Sequence, residues 1–217
     1  MKLDFEAVRR AVVVAPHPDD EIIGAAGLIQ ALRRQGSVVR IIVVSNGAAS
    51  HPDSAAWPPD RLIAARRRES LSALRRLGVT RDHVTFLGLP DGGLSARPVL
   101  CRQLLSRAIC QCRDLDMLVG PAMTDGHPDH RAVAAALWDT RFAGRRMTYQ
   151  VWPPQRARVA QGRTVTLAGG AAAKRSLIQM HRTQLGAITD DPHGFAIACH
   201  ELAVFAHPVE QFVEDRR

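Results

Sequence analysis

The chain alternates between short apolar runs and longer stretches of helical periodicity. Residues 11–15 form a continuous apolar run that stops at Pro16. Such a run, with no polar alternation, suits a strand covered on both faces in a parallel sheet. From Asp20 to about Gln35 the apolar positions Ile22, Ile23, Ala26, Ile29 and Leu32 recur at helical spacing, and Gly36 closes the helix. The alternation continues with a strand over 38–44, a turn at 45–47, a helix over 61–77 ending at Gly78, and a strand over 84–89. A turn at 90–93, a helix over 98–112, a strand over 117–119, a helix over 128–142 and a strand over 147–151 follow. Strand and helix in alternation predict a doubly wound α/β fold: a mostly parallel, Rossmann-like sheet with helices on both faces. One domain over 1–217 is expected, with its core at about 11–185. The pattern weakens afterwards. Residues 165–167 suit a short strand, 171–185 a helix, and 186–217 an irregular tail with a candidate final strand at 202–205.

Two of the predicted strand-to-helix turns carry more chemistry than packing requires. The first is Pro16-His17-Pro18-Asp19-Asp20-Glu21, where one imidazole and three carboxylates fall within five positions. The prolines restrict their own φ and bias the residues before them towards extended conformations. One carboxylate would suit a helix N-terminus, which is the plain role left for Glu21. Two consecutive aspartates beside a histidine repel one another unless a cation joins them. The second turn is Thr124-Asp125-Gly126-His127-Pro128-Asp129-His130, behind the apolar run Met117-Leu118-Val119. Turns at the carboxyl ends of parallel strands can meet in one crevice. A shared divalent metal is the expectation.

These two motifs together resemble the PIG-L/LmbE family of zinc-dependent N-deacetylases, which act mostly on N-acetylglucosaminyl groups. The resemblance extends to about residue 185. It implies Zn2+ held by His17, Asp20 and His130, a set that also suits zinc chemistry, because catalytic zinc sites take three protein ligands and leave a position open. Asp19 then suits a general base and His127 a donor to the oxyanion and leaving amine. Asp129 suits a carboxylate that orients His127. Among weaker positions, Asp91 either faces substrate hydroxyls, as in the family, or is a plain turn aspartate before Gly92. Arg66 with Glu69 matches an Arg-x-x-Glu pattern, in a register left open by Arg67 and Arg68. Asn46 and His51 lie on loops at the same end of the sheet and are candidate substrate contacts. Lys174, His181 and Gln184 resemble a later family pattern and carry no assigned chemistry.

The implied reaction is hydrolysis of an N-acetyl or other N-acyl group on an aminosugar-containing small molecule. A zinc amidase acting on a non-sugar or thiol-conjugate amide is the alternative. A different class, a basic nucleic-acid-binding domain, rests only on the formal charge of +8. That charge comes from scattered arginines, and ten Phe, Trp and Tyr residues offer little for base stacking. No nucleic acid partner is therefore expected, and a homo-oligomer is an open option. A glycine-rich dinucleotide turn and a G-x-S-x-G elbow are both missing from the sequence. Four cysteines without a CxxC pair suit a reducing compartment. With no apolar run of spanning length and no signal-peptide core, a cytoplasmic protein is expected.

Overall fold

The computed structural model describes residues 1–154 and 162–215. It contains one seven-stranded sheet with strand order β3-β2-β1-β4-β5-β7-β6. These are β1 (Arg10–Ala15), β2 (Val38–Ser45), β3 (Val84–Leu89), β4 (Met117–Pro121), β5 (Arg145–Tyr149), β6 (Arg163–Thr166) and β7 (Val209–Asp215). The first five pair in parallel, and β7 joins β5 and β6 antiparallel. The mostly parallel α/β fold is as the alternating pattern implies.

Side-chain alternation splits each central strand between two cores. Val13, Ala15, Ile41 and Val43 pack with α1 (Asp20–Arg34), α2 (Pro59–Arg76) and α5 (Gly170–Ile178). Val12, Val14, Ile42 and Val44 pack on the other face with α3 (Pro98–Cys110) and α4 (Pro128–Trp138). Both faces of β1 are therefore buried, which is why its sequence shows no polar alternation. Strand order reverses between β1 and β4, so the turns leaving these two strands diverge to opposite faces and open a crevice between them.

The C-terminal part differs from expectation. The apolar stretch 202–205 is not a strand: it belongs to the helix α6 (Cys199–Phe205). The Glu201 side chain accepts from the Ala198 N–H and caps its first turn. A short apolar run does not distinguish helix from strand by periodicity alone. The final strand is β7, whose Glu210 and Phe212 turn inward. The helix expected over 171–185 ends at Ile178, and a separate 3-10 turn covers Arg182–Gln184.

The burial of α1 is close enough to demand glycine. Gly24 faces Tyr149, and a Cβ at residue 24 would run into the ring. Tyr149 cannot retreat, because it is buried and its hydroxyl donates to the Val14 carbonyl at 2.8 Å. Further along α1, Glu210 accepts from the Gly27 N–H at 2.8 Å and pairs with the fully buried Lys174. Gly24→Ala is expected to destabilise the protein by about 1–3 kcal/mol, the usual cost of overpacking. Urea denaturation checks this: an unchanged midpoint would mean that the Tyr149 ring yields freely.

Candidate metal centre and catalytic cavity

The two motif turns meet at the crevice. His17 Nδ1, Asp20 Oδ2 and His130 Nε2 converge, with separations of 3.2 Å between the histidines, 3.2 Å from His17 to Asp20 and 3.1 Å from His130 to Asp20. A tetrahedral ion with bonds of about 2.0–2.1 Å has donor–donor edges of about 3.3–3.4 Å. The triad thus has the size of one face of such a tetrahedron.

The remaining ring nitrogens supply a second test of fit. His17 Nε2 lies 3.1 Å from Asp91 Oδ1 and 3.5 Å from Asp129 Oδ2, and His130 Nδ1 lies 3.2 Å from Asp125 Oδ2. Metal-bound histidines characteristically present their other nitrogen to a carboxylate in this way. His17, Asp20 and His130 therefore fit a small divalent cation, and the donor chemistry suits zinc.

Charge balance points the same way. Burial opposes a proton on His130, but Asp20 and Asp125 outweigh it and raise the pKa to about 9. For His17, burial is likewise outweighed, by Asp129, Asp20 and Asp91, and its pKa is raised well above the ordinary value. Burial alone would raise the carboxyls of Asp20, Asp91, Asp125 and Asp129; the facing imidazoles hold them all below the usual range. Without a metal, protons on the two histidines supply the positive charge that these carboxylates require.

Asp19 occupies the strained point of the first turn. Its φ of 153° with ψ of −27° is a conformation that a side chain rarely adopts. Its N–H is held by the His17 carbonyl at 3.0 Å and by Glu21 Oε2 at 3.1 Å, and its Oδ2 accepts from Arg66 Nη2 at 3.1 Å. Burial pushes the Asp19 carboxyl up to about 7, while Arg66 pulls the other way. Glu21 does more than favour a helix N-terminus: it is fully buried and also accepts from Ser70 Oγ at 2.7 Å, fastening the turn to α2. Burial takes its carboxyl up to about 8.

His127 lines the cavity beside the triad. Its Nδ1 accepts from the Asp129 N–H at 3.2 Å, which leaves Nε2 to carry the proton of a neutral ring. Burial, His17 and His130 lower its pKa, which favours the neutral ring. The Asp129 carboxylate does not orient this ring by a hydrogen bond, contrary to expectation. It accepts instead from the Gly92 and Leu94 N–H groups at 2.8 and 3.1 Å and faces His17. The positioning of His127 runs through the main chain of Asp129.

The other expected contacts fall out unevenly. Arg66 is the buried arginine of its run; it donates to the Gly47 and Pro18 carbonyls as well as to Asp19, while Arg67 lies over Phe86 and Arg68 is exposed. Asp91 lines the cavity, yet both its oxygens have protein partners, His17 and the Ala49 N–H. Asn46 braces loops: its Oδ1 accepts from the Ala48 and Asp91 N–H groups. His51 is buried against Gly194 and bonds Ser50 Oγ. Neither residue lines the cavity. His181 is buried, and burial together with Arg66 holds its pKa down at about 3, as a neutral ring. Gln184 lines the cavity and donates to Ser50 Oγ at 3.3 Å.

Asp125 escapes a motif reading because an aspartate before glycine is ordinary turn composition. Its fully buried carboxylate faces His130 and accepts from the N–H groups of His127, Val151 and Trp152 at 2.9, 2.8 and 3.1 Å. It ties the His130 ring to the main chain of His127, Val151 and Trp152. The cavity itself, of about 400 Å3, is lined by polar groups, among them His17, Asp19, Asp91 and His127, and by apolar ones, among them Ile23 and Trp152.

Known proteins resemble this chain in sequence and in fold. A family model described as "PIG-L: GlcNAc-PI de-N-acetylase" matches residues 12–140. The 2'-N-acetylparomamine deacetylase of Streptomyces fradiae is 28% identical over 142 residues, 59% of this chain and 50% of that protein. The 1D-myo-inositol 2-acetamido-2-deoxy-alpha-D-glucopyranoside deacetylase of Kineococcus radiotolerans is 36% identical over 87 residues, 39% of this chain and 24% of that protein. The chain thus spans half the length or less of these relatives. Among solved structures, the N,N'-diacetylchitobiose deacetylase of Pyrococcus horikoshii superposes with a TM-score of 0.68 at 21% identity, over 84% of this chain and 73% of that one. The 4-carboxy-2-hydroxymuconate hydratase of Pseudomonas putida superposes with a TM-score of 0.59 at 15% identity, over 95% of each chain. The fold is therefore shared by more than one reaction, and the chemistry has to be argued from the residues.

Two outcomes test the centre. Asp125→Ala is expected to weaken zinc binding about 10- to 100-fold, the usual effect of removing a carboxylate behind a ligating histidine; competition against a chromogenic chelator measures it, and unchanged affinity would confine Asp125 to loop packing. Zinc uptake is also expected to release protons. Because both imidazoles hold protons in the metal-free protein, His130 to about pH 9 and His17 well above its ordinary range, affinity should climb with pH through neutrality. Calorimetry in buffers of different ionisation enthalpy reads the protons released; a value of zero near neutrality would mean that the imidazoles are already neutral.

Proposed function

The chain belongs to the PIG-L, or GlcNAc-PI de-N-acetylase, family, and from that membership and the geometry of the centre we propose that it is a zinc-dependent hydrolase removing an N-acetyl or related N-acyl group from an aminosugar-containing small molecule. The observation that carries the reading is the convergence of His17, Asp20 and His130 with a buried carboxylate and a neutral imidazole left free beside them. When bound, the metal supplies Lewis acidity to an acyl carbonyl and acidifies water. His17, Asp20 and His130 hold it.

The remaining roles belong to the chain. Asp19 takes the proton of the attacking water; its elevated pKa makes it a better base than an ordinary carboxylate, and Arg66 keeps a usable fraction ionised. His127 donates from Nε2 to the oxygen on which charge develops, and it needs no positive charge to do so. Proton return to the leaving amine then falls to Asp19, which holds the proton it has just received. Asp91 holds His17 in place and offers the cavity an acidic edge for sugar hydroxyls. Hydrolysis of a simple N-acetylglucosamine glycoside, followed by amine release, tests the assignment directly.

Asp19→Asn should retain zinc and lose about two to four orders of magnitude in kcat, whereas Asp20→Ala should lose the metal. His127→Ala should lower kcat by about two to three orders of magnitude with KM little changed. His127→Gln, a neutral donor, should recover part of the loss. Activity should fall as pH drops through the Asp19 ionisation, because the protonated carboxyl cannot act as base. Zinc content and turnover measured on the same preparations separate these roles. Loss of zinc from Asp19→Asn with retention in Asp20→Ala would reverse the two aspartates, and full turnover in His127→Ala would remove His127 from the reaction.

A further inference from the structure

At the end of the sheet opposite the catalytic crevice, the apolar pattern of the parallel strands is broken. β2 reads Val38-Val39-Arg40-Ile41-Ile42-Val43-Val44-Ser45, with one arginine inside a strand that lies between β1 and β3. Packing in a covered parallel strand does not call for a guanidinium. Alternation puts Arg40 on the same face as Ile42 and Val44, the face that packs on α3 and α4. Arg10, which begins β1, falls on that face too, two residues before Val12. The α3 helix ends nearby at Cys110, and a turn leads from it into β4. These segments form a cavity of about 320 Å3 lined by Arg10, Arg40 and Arg113, with Ala11, Val12 and Val38 among its apolar groups. It shares no lining residue with the catalytic cavity.

The charges in this cavity do not cancel. Arg10 Nη1 pairs with Asp114 Oδ2 at 2.6 Å and donates to the Arg113 carbonyl at 3.4 Å. Asp114 is the one carboxylate among the described lining residues. Asp116, the other carboxylate of the turn, accepts from the Arg9 and Arg10 N–H groups at 2.7 and 2.9 Å and does not line the cavity. The guanidinium groups of Arg40 and Arg113 make no hydrogen bond or ion pair among the described residues, although Arg40 is half-buried. Three guanidinium groups against one carboxylate leave two positive charges. A helix C-terminus attracts cations, and arginines bonded to the last carbonyls of α3 would need no ligand. Arg40 and Arg113 donate to none of those carbonyls. Burial raises the Cys112 thiol while the Arg40 charge pulls it down, so that charge stands near the sulfur, within the cavity lining.

We propose that this cavity binds the phosphate group of a small phosphorylated molecule, independently of the reaction at the metal centre. The planar fork of donors on arginine matches phosphate oxygens, and two unpaired forks suit a dianion. A phosphomonoester carries about −1.5 to −2 charges near neutral pH, which balances the net charge of the lining. The volume falls at the low end of small-ligand sites, roughly 300–1,000 Å3, so the organic part is compact. None of the described lining residues is Phe, Trp or Tyr, so a nucleobase finds no ring to stack on.

Isothermal calorimetry at low ionic strength tests the site with two probes, inorganic phosphate and glucose 6-phosphate. A zinc centre can take phosphate as well, so the zinc-loaded protein is compared with Asp20→Ala, in which a metal ligand is gone. Binding of at least one probe with a Kd of about 1 mM or tighter is expected in both proteins. Arg40→Gln and Arg113→Gln should each weaken it about tenfold or more, the loss that follows removal of a charge-assisted hydrogen bond. Arg40→Lys should recover part of the affinity. Arg113 lies on an exposed turn, so its variant reads the site even where Arg40→Gln fails to fold, and circular dichroism with zinc content reports folding. Loss of binding in Asp20→Ala with retention in both arginine variants assigns the anion to the metal centre and overturns the proposal. Failure of both probes to bind also overturns it, including the case in which duplex DNA binds in an Arg40-dependent way and the patch is a polyanion surface.

Discussion

Four carboxylates converge on two imidazoles at the centre of this structure. Asp20, Asp91, Asp125 and Asp129 come from the turn after β1, the turn after β3 and the turn after β4, and all are wholly or largely buried. Burying four negative charges together is very costly unless positive charge is held among them. His17 and His130 carry that charge as protons, or surrender their protons to a cation. Each carboxylate also organises main chain: Asp129 accepts amides at 92 and 94, Asp125 those at 127, 151 and 152, and Asp91 that at 49. The loops around the crevice therefore take their shape from the same groups that define the charge centre. Cation affinity and loop conformation are linked here, because anything that alters the charge balance also alters what the amides are bonded to.

Asp19 stands apart from that network and is treated differently by the fold. Its neighbour Asp20 meets the His17 and His130 imidazoles and the His17 N–H, whereas Asp19 pairs with one guanidinium and is raised chiefly by burial. Two adjacent carboxylates thereby acquire opposite proton affinities, the condition for giving one to a metal and the other to base catalysis. The unusual backbone of Asp19 is part of this. A relaxed turn would not turn consecutive side chains to one cavity, and three hydrogen bonds around the residue hold the strained form.

The sheet and the two charged turns that bring His17, Asp20 and His130 together are legible in the sequence because each strand and each turn is written in adjacent residues. Fully covered strands leave continuous apolar runs, and His17, Asp20 and His130 lie within contiguous turns where crowded charge stands out. The C-terminal part was less legible because α6 and β7 are each about seven residues long, too short for a period to declare itself, and 202–205 was misjudged as strand on that account. The register of Arg66 among three arginines depends on which of them reaches inward to Asp19. Asp125 has no sequence signature, since its partners lie 2 to 27 positions away and the fold is what brings the distant ones to one carboxylate. Asn46 and His51 were placed on the correct end of the sheet, but position along a loop does not reveal whether a side chain turns to a cavity or to its own backbone.

That division has a physical basis that extends to the cavity. The reacting groups must be held to fractions of an ångström, which favours short, rigid turns between a strand and a helix, and such turns write their chemistry in adjacent residues. Recognition of the rest of a substrate needs surface on several sides and is assembled from whatever segments reach the rim. Here these are one turn of α1, Trp152 three residues past the end of β5 and a loop near residue 195. This lining is nevertheless tied to the centre by covalent neighbours and by Asp125, whose one carboxylate touches His130 and the main chain of Trp152. A shift of the Trp152 main chain would therefore be felt at the His130 ring. One buried carboxylate thus joins the His130 ring to the main chain that carries Trp152.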